Sequence, residues 1–233
     1  VPPGDLNALC ARVLALGEDE SLLEVGPGPG HFLGYVRRHG ARGRLVGLDR
    51  SETMVREARD AYPDADWVPG SVEELPFADG TFDAAAARHM LYHVGDIDRA
   101  VAELARVAGR LLVTTNGAEY LPRNDELLSR CLAAFGLPPA ERTALRFAAE
   151  DAGAVLGRHF GSVTEHWIRS ELVFTEPAPI AAYAASCLGL RGVDPDPDLR
   201  SHMHAWLVDE AARRLRDVGT WRDPKPAIVV LAS

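Results

Sequence analysis

The sequence predicts an α/β protein built on a doubly wound, mostly parallel sheet. Three observations point there. Short apolar runs recur between residues 21 and 115, each is followed by a segment of helical periodicity, and a glycine-rich turn joins the first run to its helix. The runs are apolar at consecutive positions, which suits strands covered by helices on both faces. A length of 233 residues suits one main domain with a single core and a modest cap.

The elements are read in order. Asp5 to Leu16 is an amphipathic opening helix, and Ser21 to Val25 is a compact strand ending at Gly26. A helix runs from His31 to His39, and a strand from Arg44 to Leu48 ends at Asp49. Ser51 supplies the cap for a helix reaching Tyr62, because its hydroxyl accepts from an otherwise unpaired first-turn amide. Asp66 to Val68 is a third strand, Phe82 to Ala87 a fourth, Ile97 to Val107 a helix and Arg110 to Thr115 a fifth strand. Beyond Asn116 come a helix at Asp125 to Phe135, a break at Pro138-Pro139 and a polar helical stretch at Glu150 to His159. Ser162 to Phe174 alternates like a half-exposed strand, helices follow at Pro179 to Leu188 and Asp198 to Val218, and Ala227 to Leu231 is an apolar closing strand. An antiparallel pair at the sheet edge accounts for the two late strands. Val193 to Asp198 reads as a rigid loop.

Composition narrows the functional classes. With 34 acidic and 25 basic residues the net charge is -9, which repels a phosphate backbone, so no nucleic-acid partner is expected. Cys10, Cys131 and Cys187 are odd in number, far apart and set in apolar helical patterns, so they read as buried hydrophobes in a reducing, cytoplasmic setting. No apolar stretch is long enough to span a bilayer, and no membrane partner is expected. The start at Val1 resembles no signal segment, and the absence of an initial Met predicts residues upstream.

The most specific stretch is Glu24-Val25-Gly26-Pro27-Gly28-Pro29-Gly30, between a strand and a helix. Alternate glycines let the chain turn sharply and let a ligand touch main-chain atoms where a Cβ would collide. A bare strand-to-helix turn is the plainer reading. The spacing is G-x-G-x-G, whereas a dinucleotide site wants G-x-G-x-x-G. Glu24 would also repel a pyrophosphate and attract an ammonium group, which favours an amino-bearing nucleoside. Asp49 ends the second strand, where a carboxylate can accept from both ribose hydroxyls.

In these residues the chain resembles the class I S-adenosylmethionine-dependent methyltransferases of small-molecule type. The resemblance runs through LLEVGPGPG, VGLDRSETMV, VPGSVEELPFADGTFDAAAARHMLYHV and RLLVTTNG, closely from about Leu22 to Asn116 and loosely over the remainder. It implies a Rossmann-like, mostly parallel seven-stranded sheet with an antiparallel edge strand and a helical cap. It also implies S-adenosylmethionine as cofactor and S-adenosylhomocysteine as product. Gly26, Gly28 and Gly30 are implied to cradle the methionine part, Glu24 to sit near its amino group, Asp49 to take the ribose and Met54 to cover the adenine. Ser71 stands where the family commonly has Asp, so adenine recognition is expected to lean on the Val72 amide; Arg88 is also assigned to the cofactor site.

The segment Arg88-His89-Met90-Leu91-Tyr92-His93 leaves the fourth strand at the sheet edge where ligands bind in open α/β folds. His89 or His93 could take a proton as methyl arrives, with Tyr92 beside them; equally, His93 could brace the loop and His89 pack on the cofactor. No histidine has a metal-ligand constellation around it, so no metal is expected. Tyr120, Phe135, Phe147, Trp167 and Tyr183 could form an aromatic wall for an acceptor or simply pack the core.

The reading is a single domain over residues 1–233. Its core is 20–116, a substrate cap comes from 117–160 and the N-terminal helix, and 161–233 completes the sheet. The expected activity is methyl transfer to O, N or C of a small molecule, with secondary metabolism as one setting and a homodimer as one assembly. The alternatives are a non-catalytic cofactor-binding module of the same fold and a nicotinamide-dependent oxidoreductase.

Overall fold

The computed structural model describes residues 5–139, 146–189 and 192–233. In chain order its elements are α1 (Leu6–Leu14), β1 (Leu22–Val25), α2 (His31–Arg38), β2 (Leu45–Asp49), α3 (Glu52–Ala61), β3 (Asp66–Pro69) and β4 (Ala84–Arg88). A single 3-10 turn (Leu91–His93), α4 (Ile97–Val107), β5 (Leu111–Asn116), α5 (Pro122–Ala134), α6 (Ala149–Leu156) and β6 (Val163–Ile168) follow. The remainder is β7 (Glu171–Phe174), α7 (Pro177–Ser186), α8 (Pro197–Val218), β8 (Trp221–Pro224) and β9 (Ala227–Ala232).

Helix starts are fixed locally by side-chain acceptors. Asp5, Ser51, Asp96 and Asp196 each accept from a first-turn amide, at 3.0, 3.4, 3.0 and 2.8 Å. Helix α5 lacks such a residue, since Leu121 sits at its N-cap in a left-handed conformation. Buried Asp223 replaces it, accepting from the Arg123 and Asn124 amides at 3.0 and 2.7 Å.

The seven-stranded sheet has the order β3-β2-β1-β4-β5-β9-β6. Strands β1 to β5 pair in parallel, with Glu24 opposite Gly47 on one side and Ala86 on the other. Reciprocal bonds between Ser162 and Ser233, at 2.7 and 3.0 Å, mark the antiparallel pair at the edge. Successive strands are added to one side from β1 to β3 and to the other from β4 to β5, and this switch between β1 and β4 opens a crevice at their carboxyl ends.

Alternation along the strands supplies two cores. Leu23, Val25, Leu48, Ala85, Ala87 and Val113 face α4 and α6, through Val101, Leu104, Ala152 and Leu156. Leu22, Leu45, Ala84, Ala86 and Leu112 face α1, α2 and α3, through Cys10, Leu14, Phe32 and Val55. Glu24, one residue on from Leu23, is thereby turned to the second face and is 2% exposed.

The described residues fall into two compact units. One holds residues 5–116, 146–168 and 228–233; the other holds 117–139, 169–189 and 192–227. The second unit packs α5, α7 and α8 around Leu127, Leu128, Ile180, Met203 and Leu207, with β7 and β8 as an antiparallel pair.

The described residues of the expected core, cap and closing segment are distributed over these two units. Helix α6 and strand β6 belong with the sheet, because Phe147, Ala152 and Leu156 are buried in its core. Of the described residues in 161–233, only β6 and β9 complete the sheet, and 169–189 and 192–227 build the helical unit. The long strand expected over Ser162 to Phe174 breaks at Arg169-Ser170 into β6 and β7, which join different sheets. The N-terminal helix α1, expected in the cap, packs Cys10 and Leu14 into the second core. Residues 140–145 of the expected cap lie outside the described residues.

Candidate functional site

A cavity of about 350 Å³ opens at the carboxyl ends of β1, β2, β3 and β4, within the size range of small-molecule sites. Gly26 and Gly28 after β1, Asp49 at the end of β2, Ser71 and Val72 after β3, and His89 and His93 after β4 all line it. Sequence reasoning therefore brought seven residues to one place from four segments of the chain. It missed Leu48, Arg50, Gly70, Glu73, Met90 and Val94, which also line the cavity. Each lies within two residues of one that was identified, so the signal was adjacency to a strand end.

The glycines divide by role. Gly26 and Gly28 have φ of +59° and +53°, where an L side chain is strained. A Cβ on Gly28 would meet nothing within 4 Å, so the backbone lies bare to the cavity. A Cβ on Gly30 would come within 2.4 Å of the Trp67 ring. Gly30 thus serves close packing at the start of α2 and does not line the cavity.

Asp49 ends β2 with Oδ1 accepting from the Ser51 amide at 2.9 Å, which fixes the carboxylate at the cavity rim. Ser51 rather than Asp49 caps α3, as its hydroxyl accepts from Met54. Met54 itself is half-buried and does not line the cavity; Arg50 does. The Ser71 hydroxyl accepts from the Glu73 amide at 3.2 Å, and Glu73 accepts from the Asp96 amide at 2.7 Å, tying the loop after β3 to the start of α4. Arg106 braces the same loop through the Leu75 and Phe77 carbonyls and through Glu103.

Glu24 and Arg88 lie beneath the cavity rather than in its wall. Arg88 Nη1 is 3.5 Å from Glu24 Oε1, Nη2 donates to Asn7 Oδ1 at 2.7 Å, and the guanidinium stacks over Phe32 at 4.3 Å. Among the described residues, Glu24 Oε2 and Arg88 Nε are buried without a hydrogen-bond partner. Burial pushes the Glu24 carboxyl up to about 7, against the opposing pull of the Arg88 charge and the Leu33 amide.

At the other end, His89 takes a left-handed conformation with φ of +50°, and its amide donates to the Thr114 carbonyl at 2.9 Å. A strained non-glycine residue at a strand end is held by its surroundings, here by β5. The His93 amide donates to the Met90 carbonyl at 2.9 Å, and its ring lies 4.6 Å from that of Tyr92. Burial lowers the His93 imidazole below its ordinary value, and the charges of Arg50 and Arg146 lower it further. Burial alone pushes the Tyr92 phenol up to about 12. At neutral pH the pair is therefore a neutral imidazole beside a protonated phenol. Tyr92 lies next to the cavity lining without belonging to it.

Among the described residues no group of three His, Cys, Asp or Glu side chains is placed to hold a metal, and no helix is long and apolar enough to cross a membrane. Of the aromatic residues considered for an acceptor wall, Phe147 is buried in the sheet core, Phe135 packs on the helical unit's core and Trp167 is exposed.

Comparison with known proteins agrees with this geometry. A family described as a methyltransferase domain matches residues 23–111. A malonyl-[acyl-carrier protein] O-methyltransferase of Erwinia billingiae is 30% identical over 161 residues, covering 66% of this chain and 61% of that protein. A 2-phytyl-1,4-naphtoquinone methyltransferase of Nostoc is 41% identical over 81 residues, covering 32% and 35%. The chain spans less than two thirds of the length of these relatives. In fold it is similar to the crystal structure of a putative methyltransferase from an antibiotic biosynthesis pathway of Anabaena variabilis. The TM-score is 0.68 with 15% identity, over 100% of this chain and 98% of that one. The sheet order and the bare glycine turn accord with the methyltransferase domain matched over residues 23–111, and in that segment the chain is similar to the class I S-adenosylmethionine-dependent methyltransferases.

Proposed function

We propose that this chain transfers the methyl group of S-adenosylmethionine to an oxygen, nitrogen or carbon of a small-molecule acceptor, releasing S-adenosylhomocysteine. The observation that carries this reading is the bare Gly28 backbone facing a cavity whose far rim holds Asp49. That donor set fits the cofactor: main chain without a Cβ for the methionine end, a carboxylate for two ribose hydroxyls, and the Ser71 hydroxyl with the Val72 backbone for the adenine edge. The cofactor supplies an electrophilic methyl on a sulfonium, so what remains for the protein is binding, alignment and handling of one proton.

His93 is the residue for that proton. Its neutral imidazole lines the cavity, and burial, helped by the charges of Arg50 and Arg146, keeps it unprotonated at neutral pH. Tyr92 keeps its hydroxyl proton and packs beside the His93 ring at 4.6 Å, outside the lining. The constrained His89 backbone fixes the direction in which the loop leaves β4. A small-molecule acceptor is supported by the relatives named for acyl-carrier-bound malonyl and naphtoquinone substrates.

Incubation of the chain with methyl-labelled S-adenosylmethionine and a metabolite extract tests the reading. Label in a small-molecule product is the expected outcome. Cofactor binding with no transfer to any component would point to a non-catalytic module, and stabilisation by NAD alone would point to an oxidoreductase.

A further inference from the structure

We propose that Asn7 of the N-terminal helix is a positioning residue for the cofactor: it holds Arg88 against Glu24 at the base of the glycine turn, so docking of α1 and cofactor binding are coupled. The inference rests on the function proposed above. It starts from the parallel register of β1 and β4, which sets Glu24 opposite Ala86. Arg88, two residues further along, returns to the same face. Glu24 and Arg88 therefore meet in the core shared with α1 and α2, where charge is costly unless paired.

The pair is held from α1. Asn7 Oδ1 accepts from Arg88 Nη2 at 2.7 Å, while Phe32 of α2 lies against the guanidinium plane. Cys10, one helical turn beyond Asn7, also faces Arg88. Glu24 in turn is set against the Leu33 amide, in the first turn of α2, where amides lack partners within the helix. The glycine turn runs between these two fixed ends. A chain of contacts thus passes from α1 through β4 and β1 to α2, and the bare backbone of Gly28 lies in the segment it spans.

Arg88 on β4, Cys10 on α1 and the Leu33 amide on α2 are the polar and titratable groups set around Glu24, with Asp5 acting on Cys10 from the start of α1. Burial pushes the Cys10 thiol up to about 11, so across pH 6–9 the thiol stays mostly neutral and Glu24 is the group that changes charge. Releasing Arg88 from Asn7 leaves the Glu24 carboxylate with less support. Its ionisation then moves to higher pH, and the turn loses its fixed base at neutral pH.

The test is calorimetric titration with S-adenosylhomocysteine between pH 6 and 9 on the wild-type chain, Asn7→Leu and Asn7→Asp. The coupling predicts that Asn7→Leu weakens binding at pH 7 by about five- to tenfold and displaces the binding-against-pH curve upward. Asn7→Asp keeps an acceptor for Arg88 and restores the affinity, while its added negative charge leaves the pH curve displaced upward. By reciprocity, S-adenosylhomocysteine should slow amide hydrogen exchange in α1 of the wild-type chain, which decides the matter even if Asn7→Leu does not fold. Unchanged affinity and pH curve in folded Asn7→Leu, equal loss in Asn7→Asp, or no added protection of α1 would each overturn the inference while leaving the methyltransferase reading intact. A wild-type chain that does not bind S-adenosylhomocysteine would overturn both.

Discussion

Replacing Glu24 with Gln should make the protein more stable at alkaline pH and leave it nearly unchanged in mild acid. Glu24 is 2% exposed, faces one guanidinium at 3.5 Å and has a buried oxygen without a partner. Its carboxyl rises from an ordinary 4.5 to about 7 on folding, because burial disfavours the charge more than Arg88 restores it. The folded state therefore holds a proton that the unfolded state has already released between those two values. The resulting stability is fully present below about 4.5 and is lost as pH rises through 7. At about 1.4 kcal/mol per tenfold change in proton affinity, the ionised form costs roughly 3 kcal/mol, an order-of-magnitude figure for a buried pair. Gln keeps the shape of the neutral acid and carries no proton to lose. Urea unfolding of both proteins at half-unit steps from pH 5 to 8.5 measures the difference directly, since Glu103, Asp98 and the other carboxyls held low by their partners affect both equally. The stability gap should open with pH and approach that figure near pH 8.5. A gap that stays flat across the range would show that Glu24 is ionised throughout and that the account of the buried pair is wrong.

Other consequences concern the cavity itself. Asp49→Ala should weaken S-adenosylhomocysteine binding more than tenfold, since two ribose hydroxyls lose a charge-assisted acceptor at roughly 1.5 to 3 kcal/mol; an unchanged dissociation constant in calorimetry would place the ribose elsewhere. His93→Gln should lower turnover by about 100-fold while cofactor affinity stays close to wild type, as for loss of a general base. Normal turnover would remove His93 from the mechanism, and a joint fall in affinity and melting temperature would make it a loop brace. Because burial, Arg50 and Arg146 all depress the His93 imidazole, the acid limb of the wild-type kcat/KM profile should lie below pH 6.5; a limb above that value would contradict the assignment.

Much of the first unit was legible because its signals are local. Ser51 announces α3, Gly26 closes β1, and consecutive apolar residues mark strands covered on both sides. The cavity lining was legible for the same reason, since Gly28, Asp49, Ser71 and His93 each sit just past a strand end. What escaped depends on partners distant in sequence. Arg88 meets Glu24 only through the register of two strands, and neither reaches the cavity wall because alternation turns both to the other face. Trp221 to Pro224 carries two charged residues and a proline, so nothing local marks it as a strand. It forms β8 because Trp221 and Asp223 turn inward while Arg222 pairs with Glu171 across the ladder. The helical unit gathers segments on either side of residues 146–168, and short-range periodicity carries no information about that pairing.

The central claim is that the glycine turn and Asp49 form a site for an amino-bearing sulfur nucleoside. Titration of the wild-type chain with S-adenosylhomocysteine and, separately, with NAD tests it most directly, each followed by calorimetry and thermal unfolding. The account predicts saturable binding of S-adenosylhomocysteine with a raised Tm, by mass action on the native state, and no response to NAD. Stabilisation by NAD with no response to S-adenosylhomocysteine would contradict it.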